Sequence, residues 1–150
     1  MSERAKAAMS ADEVTEFLTS HRKMTLATIG RDGTPHLVAM YYAVLEGQIA
    51  FWTYRTSQKA LNMARDPRVT CLVETGDEYF DLQGVQVNGA VRIIEEQAGV
   101  LEIGRRIAAG IAGVPADGLE DYVAYTGRKR FGYFVQPTKV TSWDHRKLLT

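Results

Sequence analysis

Between Met24 and Tyr54 the chain carries three apolar, β-rich runs in quick succession, and this spacing constrains the fold more than any other feature. Met24–Ile29 (MTLATI), His36–Leu45 and Gln48–Tyr54 are separated only by Gly30-Arg31-Asp32-Gly33-Thr34-Pro35 and by Glu46-Gly47. Gly, Asp-Gly and Pro between apolar runs are the chemistry of hairpin turns. A parallel neighbour would need a crossover of roughly a dozen residues, so strands joined this tightly pair antiparallel.

The rest of the chain continues the pattern. Val14, Phe17 and Leu18 share one face of a helix over 11–20, with Ser10 as its N-cap. The period changes again at Thr56: Ala60, Leu61 and Ala64 lie together, Thr56 or Ser57 caps the start, and Pro67 ends the helix. Arg68–Glu74 reads as a strand with Val69, Cys71 and Val73 on one side, and Val85–Ile94 alternates most cleanly. Val100, Ile103, Ile107 and Ile111 repeat at helical spacing over 97–112, and Asp117–Tyr125 predicts a second short helix. Arg130–Val135 and Lys139–Ser142 supply the closing strands. Strands at this density close into a small barrel, because closure removes exposed edges. The expected fold is α+β, a six- to seven-stranded antiparallel β-barrel with peripheral helices, over one domain spanning 1–150.

Charge and composition then exclude function classes. Eighteen basic side chains balance eighteen acidic ones, and segments 1–73, 74–121 and 128–147 carry +2, −7 and +5. That distribution lacks the broad cationic field behind nucleic-acid affinity. No apolar run approaches the roughly 20 residues that span a bilayer. The start MSERAKAAMSADEV lacks the apolar stretch of a secretory signal, so a soluble cytoplasmic protein is expected. A single cysteine and three histidines without ligand spacing predict neither a disulfide nor a metal site, and Cys71 reads as core. The basic cluster Arg128-Lys129-Arg130 with Lys139, Arg146 and Lys147 reads as a solvated rim, with a small anionic ligand left open.

Phosphate-loop, dinucleotide-fold, zinc-protease and nucleophile-elbow motifs are all missing. The strongest local constellation is Tyr54-Arg55-Thr56-Ser57-Gln58-Lys59 at a strand-to-helix junction. Free N–H groups and the helix dipole favour an anion there, and Ser57 can add a hydroxyl. Lys59 sits in the first turn, where that dipole disfavours a cation unless an anion neutralises it. An ordinary capped helix with a solvated lysine is the other reading of the same segment. Tyr41, Tyr42, Phe51, Trp52 and Tyr54 crowd the preceding strands, as a core, an interface or the wall of a flat-ligand site. Trp143, His145, Arg146 and Lys147 cluster near the end of the chain, where a tryptophan implies docking against something.

Taken in order, these parts resemble the flavin/deazaflavin oxidoreductases of the pyridoxamine 5′-phosphate oxidase-like split β-barrel superfamily. The resemblance covers residues 11–147. It rests on MTLATIGRDGTPHLVAMYYAVLEGQIAFWTY, then SQKALNMARDPRV, then GVQVNGAVRII. The closing TSWDHRKL is similar to the end of short members that use coenzyme F420.

The resemblance implies a homodimer with two cofactor sites at the interface. Lys59 matches the lysine on the cofactor phosphate, with Ser57 and Gln58 beside it. His36 to Tyr41, including Met40, match the strand under the ring, and Trp52 and Thr53 match the strand pair that closes the pocket. Asn62 is expected on the phosphate side of the same helix. Trp143, His145 and Arg146 would come from the partner subunit. Gln58 stands where the vitamin B6 oxidases carry arginine, and their extended C-terminal substrate motif is missing, so pyridoxamine phosphate oxidation is not expected. Coenzyme F420 is the cofactor this reading selects, with FMN as the alternative. Arg55 and the C-terminal cations would face the carboxylates of the longer F420 tail. The implied reaction is hydride transfer between F420 and an unsaturated small-molecule acceptor, with Tyr41, Tyr42, His36 or water relaying a proton. The rivals are an FMN-dependent oxidoreductase of the same fold and a non-catalytic module that holds a flavin, a deazaflavin or haem.

Overall fold

The computed structural model describes all 150 residues. Two helices, α1 (Glu3–Ala7) and α2 (Ala11–Ser20), precede the strands β1 (Lys23–Ile29), β2 (Pro35–Tyr41), β3 (Ala43–Leu45) and β4 (Gln48–Tyr54). Helix α3 (Gln58–Arg65) leads to β5 (Arg68–Thr75) and β6 (Gln83–Ile94). Then come α4 (Gln97–Ala109), α5 (Leu119–Gly127) and β7 (Arg130–Asp144). The capping residue of α2 is Ser10, whose hydroxyl accepts from the Glu13 amide while the Glu13 carboxylate accepts from the Ser10 amide.

All seven strands form one antiparallel sheet in the order β2-β1-β5-β6-β7-β4-β3. The two edge strands, β2 and β3, are consecutive in the chain and only Tyr42 separates them. A sheet whose first and last strands are joined by one residue must curl until its edges meet, which produces a barrel split between β2 and β4. The α+β split-barrel expectation is thus realised, with seven strands.

Two expected boundaries are corrected by this topology. His36–Leu45 is not one strand: it breaks at Tyr42, where the chain leaves β1 for β4. Tyr42 pins the corner, its amide donating to Arg22 O at 2.9 Å and its hydroxyl to Leu18 O at 2.6 Å. Conversely, Arg130–Val135 and Lys139–Ser142 belong to one strand. Pro137 lacks a donor, and an irregularity opposite Asn88 and Gly89 accommodates it without ending the ladder. No helix is long and apolar enough to cross a membrane.

Burial divides into two cores. The barrel interior holds Leu26, Phe51, Cys71, Val85 and Tyr133, with Phe51 and Tyr133 stacked at 5.0 Å. The second core lies outside the barrel, where Ala50, Trp52 and Phe134 meet Val100, Ile103 and Ile107 of α4 and Val123 of α5. Strand β4 is therefore covered on both faces, which is why it reads as a continuous apolar run rather than an alternating one. Gly104 makes this packing possible: a Cβ there would stand 2.1 Å from Trp52 Cζ3.

Candidate functional site

The split in the barrel opens a cleft of about 490 Å³. Val38 to Tyr41 at the end of β2 form one wall and Trp52 to Tyr54 at the end of β4 form another. Lys59 in the first turn of α3 and Arg130 at the start of β7 supply the cations. Ile107, Ala108 and Ile111 close the far side from α4 and its end, with Tyr122 from α5. No acidic side chain lines it.

The strand periods explain this gathering. On β2 the side chains alternate, so Val38 and Met40 turn toward the barrel core while Tyr41, half exposed at 50%, faces outward at the edge. On β4, Trp52 is only 8% exposed. Arg130 pairs with Tyr54 across the ladder, and its guanidinium lies 4.0 Å from the Tyr54 ring and 4.7 Å from the Trp52 ring. Desolvation, and then the neighbouring charge of Arg130, hold the Lys59 ammonium below the usual lysine range. Both causes penalise the charged form, and an anion bound between the two cations would offset both.

Of the residues singled out in the sequence, Met40, Tyr41, Trp52, Thr53, Tyr54 and Lys59 meet in this cleft. Others are committed to structure. The Ser57 hydroxyl caps α3, accepting from the Ala60 amide at 3.2 Å and donating to Tyr54 O at 2.9 Å. Asn62, expected on the phosphate side, is instead wholly buried and turned inward. Its Nδ2 donates to Thr28 Oγ1 at 3.0 Å, and its Oδ1 accepts from Gln58 Nε2 at 2.8 Å. Asn62 therefore fastens α3 to β1, and Gln58 braces it. Arg55 stands outside the lining, donating to Arg128 O at 2.7 Å with its guanidinium over Phe131.

Neither of the two further proton-relay candidates lines the cleft. His36 lies opposite Thr28 in the ladder, its Nδ1 enclosed without a partner. Tyr42 is buried, its hydroxyl is spent on Leu18, and burial pushes that hydroxyl well above the ordinary tyrosine range. Tyr41 alone of the three borders the cavity.

The C-terminal cluster is docked on its own chain. Trp143 lies against Gly84, where a Cβ would stand 2.3 Å from the indole. His145 Nδ1 is 2.8 Å from Tyr79 O, and Arg146 holds the buried Asp144 through Nε and Nη2 at 2.9 and 2.8 Å. Lys147 donates to Ala8 O and to Glu13. None of these residues lines the cleft of the same chain.

Nothing local in the sequence singles out Arg130, Ile107, Ile111 or Tyr122 for this site. Arg130 appears there as one member of a charge run, and its place beside Lys59 depends on the pairing of β4 with β7. The helical repeat does mark Ile107 and Ile111 as an inward face, but nothing local says that this face borders a cavity.

Comparison with known proteins agrees with this architecture. The sequence profile of the pyridoxamine 5′-phosphate oxidase family matches residues 10–130. The crystal structure of the conserved hypothetical protein Rv2991 from Mycobacterium tuberculosis is similar over 100% of this chain and 94% of that one, at 42% identity and a TM-score of 0.92. An F420 reductase is similar over 84% of this chain and 94% of its own, at 26% identity and a TM-score of 0.61. HutZ, a haem storage protein from Vibrio cholerae, shares the fold at 13% identity, a TM-score of 0.66 and coverage of 88% of this chain and 94% of that one. No curated protein matches the chain. The profile spans the barrel from α2 to the first residue of β7, the strands follow the order described above, and the chain belongs to the pyridoxamine 5′-phosphate oxidase family.

Proposed function

We propose that the protein is an oxidoreductase that transfers a hydride between coenzyme F420 and an unsaturated small-molecule acceptor. The observation that carries this reading is the cleft itself: a largely apolar and aromatic cavity in the barrel split, lined also by two neighbouring cations and by no acid. That arrangement suits a ring joined to a phosphate. The similarity to an F420 reductase supports the choice of deazaflavin. So does the basic rim beyond Arg130, where exposed Arg128 and Lys129 adjoin Arg55 and could meet a tail rich in carboxylates.

When bound, reduced F420 supplies the hydride; an acceptor that takes it at one atom takes a proton at the other. The chain's own part is to orient and to exclude water. Val38, Met40 and Trp52 offer the apolar surface for a ring, Lys59 and Arg130 its anionic anchor, and Ile107, Ile111 and Tyr122 a dry side for the acceptor. Tyr41, the one expected relay residue that borders the cleft, would hand on the proton, with water as the other source.

The same reading includes a homodimer. The middle of the outer face of β2, β1, β5 and β6 presents Leu37, Ala39, Thr25, Ala27, Thr70, Leu72, Gln86 and Asn88, none of them charged, with Lys23, Arg68 and Glu74 at its margins, and Leu37 is 65% exposed. A neutral face of this breadth favours a second copy. It runs through Tyr41 into the cleft, so a partner seated there would border the cofactor. Trp143, His145 and Arg146 would then approach the partner's cleft together with the 79–82 turn to which His145 is bonded.

The test is titration of the purified protein with F420 and with FMN, following ring fluorescence, and then turnover with a panel of unsaturated acceptors. Tight binding of F420 with acceptor-dependent oxidation supports the reading. Saturable binding of FMN alone, or binding without turnover, would replace it with one of the two rivals.

A further inference from the structure

Arg130 is held in a way that an ordinary surface arginine is not. Its Nε donates to Thr126 O at 2.9 Å, which uses the inner edge of the guanidinium. Its guanidinium carbon lies over the Tyr54 ring, 4.0 Å from the centroid, and over the Trp52 ring at 4.7 Å. Trp52 is itself immobilised under α4 at Gly104. The ion pairs of the chain join Arg68 to Asp66, Arg105 to Glu120, Arg146 to Asp144 and Lys147 to Glu13, and none involves Arg130 or Lys59. Both of these cations line the same half-enclosed cleft, which holds no carboxylate. Two like charges, both partly withdrawn from water, are thus brought together with no salt-bridge partner in the chain. The stacked, singly donating guanidinium is left with its outer N–H groups to offer, a planar fork suited to phosphate or carboxylate oxygens.

We infer that Arg130 is an anion-binding residue of this cleft, so that Lys59 and Arg130 together select a ligand carrying two negative charges close to one another. The inference rests on the proposed ring-and-phosphate reading of the site and adds to it a residue and a charge requirement. Two ligand chemistries supply the pair. A phosphomonoester, as in FMN, carries both charges on one phosphate, whereas a phosphodiester followed by a carboxylate, as in F420, spreads them over two groups. A carboxylate-free diester, or the ring with its polyol chain alone, lacks one charge or both. Because the guanidinium is stacked, lysine in its place keeps the charge but loses the fork and the aromatic contact.

The experiment measures dissociation constants of wild type, Arg130→Ala, Arg130→Lys and Lys59→Ala for four ligands: FMN, riboflavin, F420 and the deazaflavin ring bearing its ribityl chain without phosphate. Each protein is also melted with and without inorganic pyrophosphate, and folding is checked by circular dichroism. The inference expects Arg130→Ala to weaken the phosphorylated ligand of the preferred pair by about tenfold or more. Binding of its uncharged counterpart should change less than about threefold, and Arg130→Lys should fall between wild type and alanine. The stabilisation by pyrophosphate should shrink in Arg130→Ala and Lys59→Ala alike. Loss of FMN but not F420 affinity identifies the phosphomonoester as the source of the charge pair, and the converse identifies the diester with its carboxylate. Equal weakening of charged and uncharged ligands would overturn the inference, because Arg130 would then act only by packing on Trp52 and Tyr54. Unchanged affinity in both arginine variants would overturn it too. A wild-type protein that binds none of the four rings sinks the proposed function; the pyrophosphate melts then decide Arg130 alone, a shift lost in Arg130→Ala upholding its role and no shift ending it.

Discussion

Asn62→Ala separates a residue that builds the site from one that touches the ligand. In the structure the Asn62 side chain is fully buried, donates to Thr28 Oγ1 and accepts from Gln58 Nε2 and Arg65 Nη2. Truncation leaves the buried Thr28 hydroxyl without a partner and opens a polar cavity beneath Gln58. A buried polar group stranded this way costs about 1–3 kcal/mol, so the variant should lose roughly 2–3 kcal/mol. With an unfolding entropy of about 2.1 cal/mol/K per residue, that corresponds to a fall in Tm of roughly 6–9 °C for a chain this long. Adding Thr28→Val removes the second partner and should recover part of the loss, since deleting both members of a buried pair costs less than orphaning one. The assay is thermal melting of the two single variants and the double variant, beside a cofactor titration below the melting range. A fall in Tm of less than about 2 °C, together with an affinity loss beyond about tenfold, would refute the reasoning and return Asn62 to the ligand.

Other outcomes follow from the same geometry. Lys59→Ala should raise the cofactor Kd about 10- to 150-fold, less so at high salt, while the apo protein melts no lower than wild type, because a desolvated cation near Arg130 has been removed; titration at two salt concentrations and apo melting check both halves. Gly104→Ala places a methyl group 2.1 Å from Trp52 Cζ3, so it should cost about 1–3 kcal/mol and displace Trp52, read as a lower denaturation midpoint and a changed near-ultraviolet spectrum. Glu13 is held down to about 2 by Lys147 and by its capping bonds to Ser10. Its folded value lies below the unfolded one, so its contribution is complete above about 4.5 and fades as pH falls toward about 2; Glu13→Gln should flatten stability against pH in that window.

What was legible in the sequence is what depends on neighbours in the chain. Turn chemistry at Gly30–Pro35 and at Glu46-Gly47, the cap at Ser10, the stop at Pro67 and the alternation of Val85–Ile94 are all local events, decided by backbone sterics and by which face an apolar residue can bury. They suffice for an antiparallel barrel of six to seven strands with its helices, and for placing Lys59 in a first helical turn beside an aromatic strand. Tertiary structure alone decided where the run His36–Leu45 breaks, because the break at Tyr42 is made by the sheet closing on itself. It alone turned Asn62 inward, since the partner that claims its side chain, Thr28, lies on another strand. It also lifted Arg130 out of a run of surface charges and laid it across Tyr54 and Trp52, beside Lys59. A site assembled from strands and helices far apart in the chain has no sequence period of its own. Its charges converge only when the barrel curls, and the energy of their convergence is felt only in the water-poor cleft that the curling creates.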